Sequence, residues 1–195
     1  AIYYITGGDE QTLRNSPLLE AYRKKEIEVL IMDDDIDEIV VPSIGQYKET
    51  DLKPINRSDA GEDLKDEADK DQEKKLEPVL KQIKDALGER VKDVRFSVRL
   101  SDSPSCIVVD EADPTMQMQQ LLKAMGQQEI PDVKPILEVN PNHEIFTKVN
   151  DTTDKALVED IAFLLLDQAL LVEGAPVKEP ADFVKRLNRV VGRAL

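Results

Sequence analysis

"LVEDIAFLLLDQALLVEG", residues 157–174, carries apolar side chains on nearly every side of a helix from Ile161 to Val172. A helix that is apolar all round has to be covered all round. The run is too short for a bilayer, which takes roughly 20 apolar residues, so its cover must be protein. The final stretch, from about 180 to 193 with Pro180 near its start, is expected to cover one side with Phe183, Leu187, Val190 and Val191, while Lys185, Arg186, Arg189 and Arg193 face out. Two helices cannot enclose each other. The surface left over on Ile161, Leu164, Leu165, Leu166, Leu170 and Leu171 calls either for a second copy, completing a two-fold four-helix bundle, or for the chain's own small sheet.

Upstream, Leu76, Val79, Leu80, Ile83 and Leu87 follow helical spacing, with Gly88 placed to end the helix. The period then changes to two. In "DVRFSVRL" (93–100) Val94, Phe96, Val98 and Leu100 alternate with Arg95, Ser97 and Arg99, which predicts a half-buried strand. "SDSP" reads as a turn, "SCIVVD" as a second strand paired to the first in a hairpin, and "ILEVNPN" as a third strand closed by an Asn-Pro turn. Residues 76–195 are therefore expected to be an α+β domain with three short strands. Residues 1–56 read as a small α/β unit: strand Ile2–Thr6, a helix led by Ser16 and Pro17, and a buried strand in "IEVLIM" (27–32). Between them, 57–75 holds eight acids, five bases and one leucine, too little to bury a face, and is expected to be a hinge or a solvated helix start.

The whole chain has a net charge of −14 over 195 residues and a pI near 4.6, which argues against nucleic acid as a partner, since phosphate binding needs clustered Lys and Arg. Cys106 is the only cysteine, so no internal disulfide is possible, in keeping with a reducing compartment. No signal peptide is visible, and "AIYYIT" opens directly in a strand-like run without Met, as a piece of a longer chain would.

Residues suited to catalysis are few. His143 is the single histidine and sits beside a turn, Cys106 lies within a β run, and "TGGDEQ" lacks the spacing of a phosphate loop. The acids Asp33–Asp37 lack the spacing and glycine of a calcium loop and read as a charged helix start. A small α/β enzyme built on these residues is the rival reading from another class.

"PTMQMQQLLKAMG" (114–126) holds three of the four methionines. Met118, Leu121, Leu122 and Met125 share one helical face, Met116 points elsewhere, Asp113 can cap, Pro114 fits the first position and Gly126 can end the helix. The stripe is either core or a surface for partners of varied shape, a use to which methionine is suited.

"IYYITG", "SPLLEAYRKKEIEVLIM", "DIDE", "LGERVKDVRFSVRLSDSPSCIV", "LEVNPNHEI" and "LLLDQALLVEG" resemble, in order and spacing, the C-terminal third of the heat-shock protein 90 chaperones in their bacterial form. The resemblance fades only around 58–72. It implies that 1–56 is the distal part of a middle domain and 76–195 a C-terminal dimerisation domain, whose last two helices form an intermolecular four-helix bundle. It implies a homodimer, a cytoplasmic bacterial setting, and unfolded or partly folded client proteins held by the Met helix (Met116, Met118, Leu121, Leu122 and Met125) with Ile39. Ile39 stands where some bacterial members carry tryptophan. The family's ATP and Mg pocket lies in an N-terminal domain that precedes Ala1, so the resemblance implies no cofactor, metal or ATPase activity in this chain. The ending "RVVGRAL" lacks the Met-Glu-Glu-Val-Asp that docks tetratricopeptide co-chaperones, so none are expected, nor is a membrane. A purely structural dimeriser with the Met helix buried is the alternative.

Overall fold

The computed structural model describes residues 1–61, 64, 70–127 and 133–194, with only the backbone of 70 and 71. Ile2–Thr6 (β1) lies between two parallel neighbours: Val29–Met32 (β2), with Tyr3 opposite Val29, and Thr50–Pro54 (β4), with Ile2 opposite Leu52. The crossover from β1 to β2 runs through Glu10–Arg14 (α1), a 3-10 turn at Pro17–Leu19 and Glu20–Lys24 (α2). Ser16 leads the turn, its Oγ accepting from the Leu18 N–H at 3.3 Å, with Pro17 at the first position. Asp37–Ile44 (α3) follows β2, and Gln46–Tyr47 (β3) forms a hairpin with β4. That hairpin turns at Lys48 and Glu49, both left-handed, which gives the twist a two-residue connection requires. The sheet order is β2-β1-β4-β3.

The second sheet comprises Asp93–Phe96 (β5), Ser105–Val108 (β6) and Ile136–Val139 (β7), in the order β5-β7-β6. β7 takes the centre, parallel to β5 and antiparallel to β6. This corrects the expected hairpin of the first two strands: they border β7 on opposite sides. Every residue of β6 and of β7 is buried, so both are covered on both faces.

Those two faces serve two cores. Ile107, Leu137 and Val139 meet the helices Lys70–Leu87 (α4), Glu144–Asn150 (α6) and Lys155–Val172 (α7) through Leu76, Val79, Ile83, Leu87, Phe146, Leu165 and Leu166. Cys106, Val108 and Ile136 point the other way and join Tyr3, Ile5, Leu18, Tyr22, Ile55 and Leu64 of the first unit. Alternation along a strand thus welds the two sheets together. Of the acidic stretch 57–75, residues 62, 63 and 65–69 lie outside the described residues. Its beginning is ordered, with Ser58 N–H donating to Val109 O at 2.9 Å. Met116–Ala124 (α5) and Pro180–Ala194 (α8) complete the order of elements.

A second correction concerns "DVRFSVRL". The strand ends at Phe96, and from there the polar side chains turn inward: Ser97 and Arg99 are buried, while Val98 and Leu100 are only partly so. The cause is Glu138, buried on the central strand, whose charge requires donors within reach. Ser97 Oγ donates to it at 2.8 Å and the Arg99 guanidinium lies 2.9 Å away.

Candidate functional site

α5 is capped by Thr115 rather than Asp113, one residue later than the sequence suggests, because the Thr115 hydroxyl reaches the Met118 N–H at 3.0 Å. The same hydroxyl donates to Glu38 Oε2 at 2.8 Å, fixing the start of α5 on α3. Gly126, left-handed at φ +85°, follows the last turn. The helix buries an unexpected residue. Gln119 is 6% exposed, its amide bonded to Pro114 O at 3.3 Å and near Met116 Sδ at 3.7 Å. Met116 packs on the main core and belongs to this inner side. Met118, Leu121 and Leu122 are half-buried, and Met125 is 67% exposed. These four apolar residues thus lie outside both cores, while the buried residue of the helix is a glutamine.

Ile39 on α3 is exposed, in contact with neither core. It has company that the sequence reading overlooked: Ile36, Val40 and Ile44 are exposed as well. The signal was legible, since 36, 40 and 44 repeat at i, i+4, i+8 on one helical face. α3 and α5 are in contact, so the two apolar stripes sit on neighbouring elements.

On α7, Val158, Ala162, Leu165, Leu166 and Ala169 are buried inside the chain. Leu165 and Leu166 therefore cannot contribute to a surface between copies, which corrects their assignment there; they fill the core beside α4 and β6. Ile161, Leu164 and Leu170 are half-buried, and Leu171 and Val172 exposed. On α8 no residue is buried. Phe183 and Val190 are half-buried, while Val184, Leu187 (41%) and Val191 (47%) lie open.

The arginines explain why. Arg189 grips Asp160 of α7 through two nitrogens, Nε to Oδ2 at 2.8 Å, and Arg193 Nη1 donates to Asp154 Oδ2 at 2.6 Å. Arg186 stacks on Phe163 at 4.0 Å from the ring centre, with Arg90 at 5.1 Å. The Arg189 hydrogen bond holds the Asp160 carboxyl below its usual range against the opposing effect of burial. So Arg186, Arg189 and Arg193, expected to face out, turn towards α7, because buried Asp160 and the Asp154 cap require cations. The apolar side of α8 is turned to solvent as a result.

The residues weighed for catalysis are engaged otherwise. His143 caps α6, Nδ1 accepting from the Ile145 N–H at 3.2 Å. Cys106 is buried, and burial pushes its thiol well above the usual range. Among the described residues no group of three or more His, Cys, Asp or Glu is arranged to hold a metal ion, and no helix is long and apolar enough to cross a membrane.

Two small sheets fused through a strand pair buried on both faces, with amphipathic helices turning apolar sides outward, define a mixed α/β chain with large exposed helical surface. The chain belongs to the Hsp90 family, in its HtpG type: the family described as "Hsp90 protein" matches residues 1–195. It is 57% identical over 195 residues to the chaperone protein HtpG of Treponema denticola, covering 98% of this chain and 30% of that protein. Identity to the chaperone protein HtpG of Treponema pallidum is 50% over 197 residues, covering 99% of this chain and 31% of the relative. With that of Aliarcobacter butzleri it is 48% over 198 residues, covering 100% and 31%. The chain thus spans about 30% of the length of these curated relatives.

Proposed function

We propose that this chain is the C-terminal portion of an ATP-dependent chaperone of the bacterial cytoplasm, and that it joins two copies and helps hold client proteins. In this reading residues 1–56 close the middle domain, 57–75 form the acidic hinge or helix start, with α4 beginning at Lys70, and 76–195 form the dimerisation domain. α7 and α8 of two copies make a four-helix bundle. Dimerisation raises the effective concentration of the remaining domains for each other, so that their closure becomes intramolecular.

One observation carries the reading: α8 spends its arginines on α7 and leaves Val184, Leu187 and Val191 uncovered, and Leu171 and Val172 at the end of α7 are exposed as well. An apolar helical face of this kind is the mark of a protein–protein surface. Sedimentation equilibrium at micromolar concentration tests it. The expected mass is twice 21.9 kDa, falling to 21.9 kDa in the Leu187→Glu/Val191→Glu variant. A monomer for the unaltered chain rejects the bundle.

For client holding, Met118, Leu121, Leu122 and Met125 with Ile39 form the surface. Met116 supports it from behind, since it packs on the core. Each contact contributes less than the roughly 1.5–3 kcal/mol of complete side-chain burial, which suits transient and promiscuous holding. Substituting Met118, Leu121 and Leu122 by Ser is expected to reduce suppression of client aggregation with the melting temperature kept. Unfolding instead would favour the purely structural dimeriser, a reading that the inward Gln119 disfavours.

A further inference from the structure

A cavity of about 280 Å³ opens where α3, β4 and the start of α5 meet. At its deep end lie two buried acceptors without donors among the described residues: Glu38 Oε1 and Asn56 Oδ1, on residues only 5% and 6% exposed. Glu38 uses its other oxygen for Thr115, so its orientation is fixed. A buried acceptor left without a donor is unfavourable, and a ligand's donor would remove that cost.

At the outer end stand Asp59 and Glu111, both exposed. Hydrogen bonding and charge from Asp59 push the Glu111 carboxyl up, against the opposing charge of Arg57. Arg57 also lines the cavity, but its Nη1 is turned to backbone carbonyls, donating to Asp110 O at 2.9 Å, Glu111 O at 3.3 Å and Asp113 O. Pro42 and Leu52 supply apolar wall. These carboxylates form no group able to hold a single metal ion.

We propose that this cavity binds an aliphatic diammonium cation, one NH₃⁺ donating to Glu38 Oε1 and Asn56 Oδ1, the other set between Asp59 and Glu111, and the methylenes lying on Pro42 and Leu52. An ammonium carries three donors and no acceptor, which matches the two buried acceptors left without donors. The site rests on neither the dimer nor the client reading, although its cavity shares α3 and the start of α5 with the client surface.

Isothermal titration of the whole chain with 1,4-diaminobutane at low ionic strength is the test. One site per chain is expected. Glu38→Gln, the double variant Asp59→Asn/Glu111→Gln, and replacement of the diamine by butylamine should each weaken binding about tenfold or more. The acids of the double variant are exposed, so it decides the matter even if Glu38→Gln folds poorly. Asp33→Asn/Asp34→Asn, exposed acids elsewhere, should leave affinity unchanged. Equal loss in that control, equal binding of butylamine, or indifference to the double variant would reduce the effect to general attraction by a chain of net charge −14 and overturn the site. Tighter binding of an N-acetyl-lysine amide than of the diamine would overturn the choice of ligand.

Discussion

Arg99 Nε lies 2.9 Å from Glu138 Oε2, and both side chains are wholly inside the protein, at the seam between the two sheets. The N–H is not aligned for a hydrogen bond, so this contact is ionic. Nη2 donates to Glu138 Oε1 at 3.3 Å, and the guanidinium also bonds the first unit, Nη1 donating to Ile55 O at 2.5 Å and to Arg57 O at 3.3 Å. Glu138 in turn accepts from Ser97, and from Arg95 at 2.6 and 3.1 Å. Removing one partner strands a buried charge, so Arg99→Met and Glu138→Leu should each lower stability by about 3–5 kcal/mol in urea unfolding. The double variant should recover part of that loss, since both buried charges go together and only the partly exposed Arg95 loses its partner.

Gly7 and Gln117 make a second long-range fit. Gly7 sits at φ +112°, and a Cβ there would come 2.5 Å from Gln117 Cγ and Cδ. Gly7→Ala therefore meets two penalties, a backbone conformation costing about 1–3 kcal/mol and a clash with α5. Gln117→Ala in the same chain should return only the clash portion. A full rescue in thermal unfolding would show that the backbone term is absent.

How much of this was legible in the sequence follows the range of the forces involved. The buried face of α4 could be read because Leu76, Val79, Ile83 and Leu87 report their own periodicity. The Ser16–Pro17 start was equally local. The order β5-β7-β6 was not, since it depends on which distant strand β5 meets. Arg99 broke the period-two rule because its partner is 39 positions away, and Arg186 and Arg189 broke the amphipathic rule because Asp160 is buried. The Met stripe was visible as a pattern; which side of α5 faced in was decided by Gln119 finding bonds at Pro114 and Met116.

Two carboxyls should give opposite pH slopes. Burial raises Glu173, at the end of α7, to about 7 from 4.5. The folded chain then binds more protons than the unfolded one between those values, so this group's contribution to stability falls as pH rises from about 4.5 to 7. Glu173→Gln should stabilise at pH 8 by about 1–3 kcal/mol and flatten that slope. Glu20 runs the other way. Burial works to raise it, but the Ser103 hydroxyl at 2.5 Å and the backbone N–H groups of Ser101 and Asp102 at 2.7 and 2.8 Å prevail and hold it low. Its contribution is present above the ordinary glutamate range and lost as pH falls through the depressed value, and Glu20→Gln should remove that acid-side loss. Urea midpoints measured from pH 3 to 8 on each variant separate the two.

α7 offers the sharpest contrast between core and surface within one helix. Leu166 is buried against α4 and β6, whereas Leu171, five positions on, is exposed. Leu166→Ala removes packed methylenes and opens a cavity, so it should lower stability by about 2–5 kcal/mol. Leu171→Ser touches no intrachain core and should change monomer stability by about 0.5 kcal/mol or less. If two copies meet at this face, Leu171→Ser has a different effect: unfolding midpoints that rise with protein concentration in the unaltered chain become independent of it. Concentration-dependent unfolding of both variants therefore distinguishes a residue that holds the chain together from one that holds two chains together. A Leu171→Ser midpoint with undiminished concentration dependence would remove Leu171 from the interface.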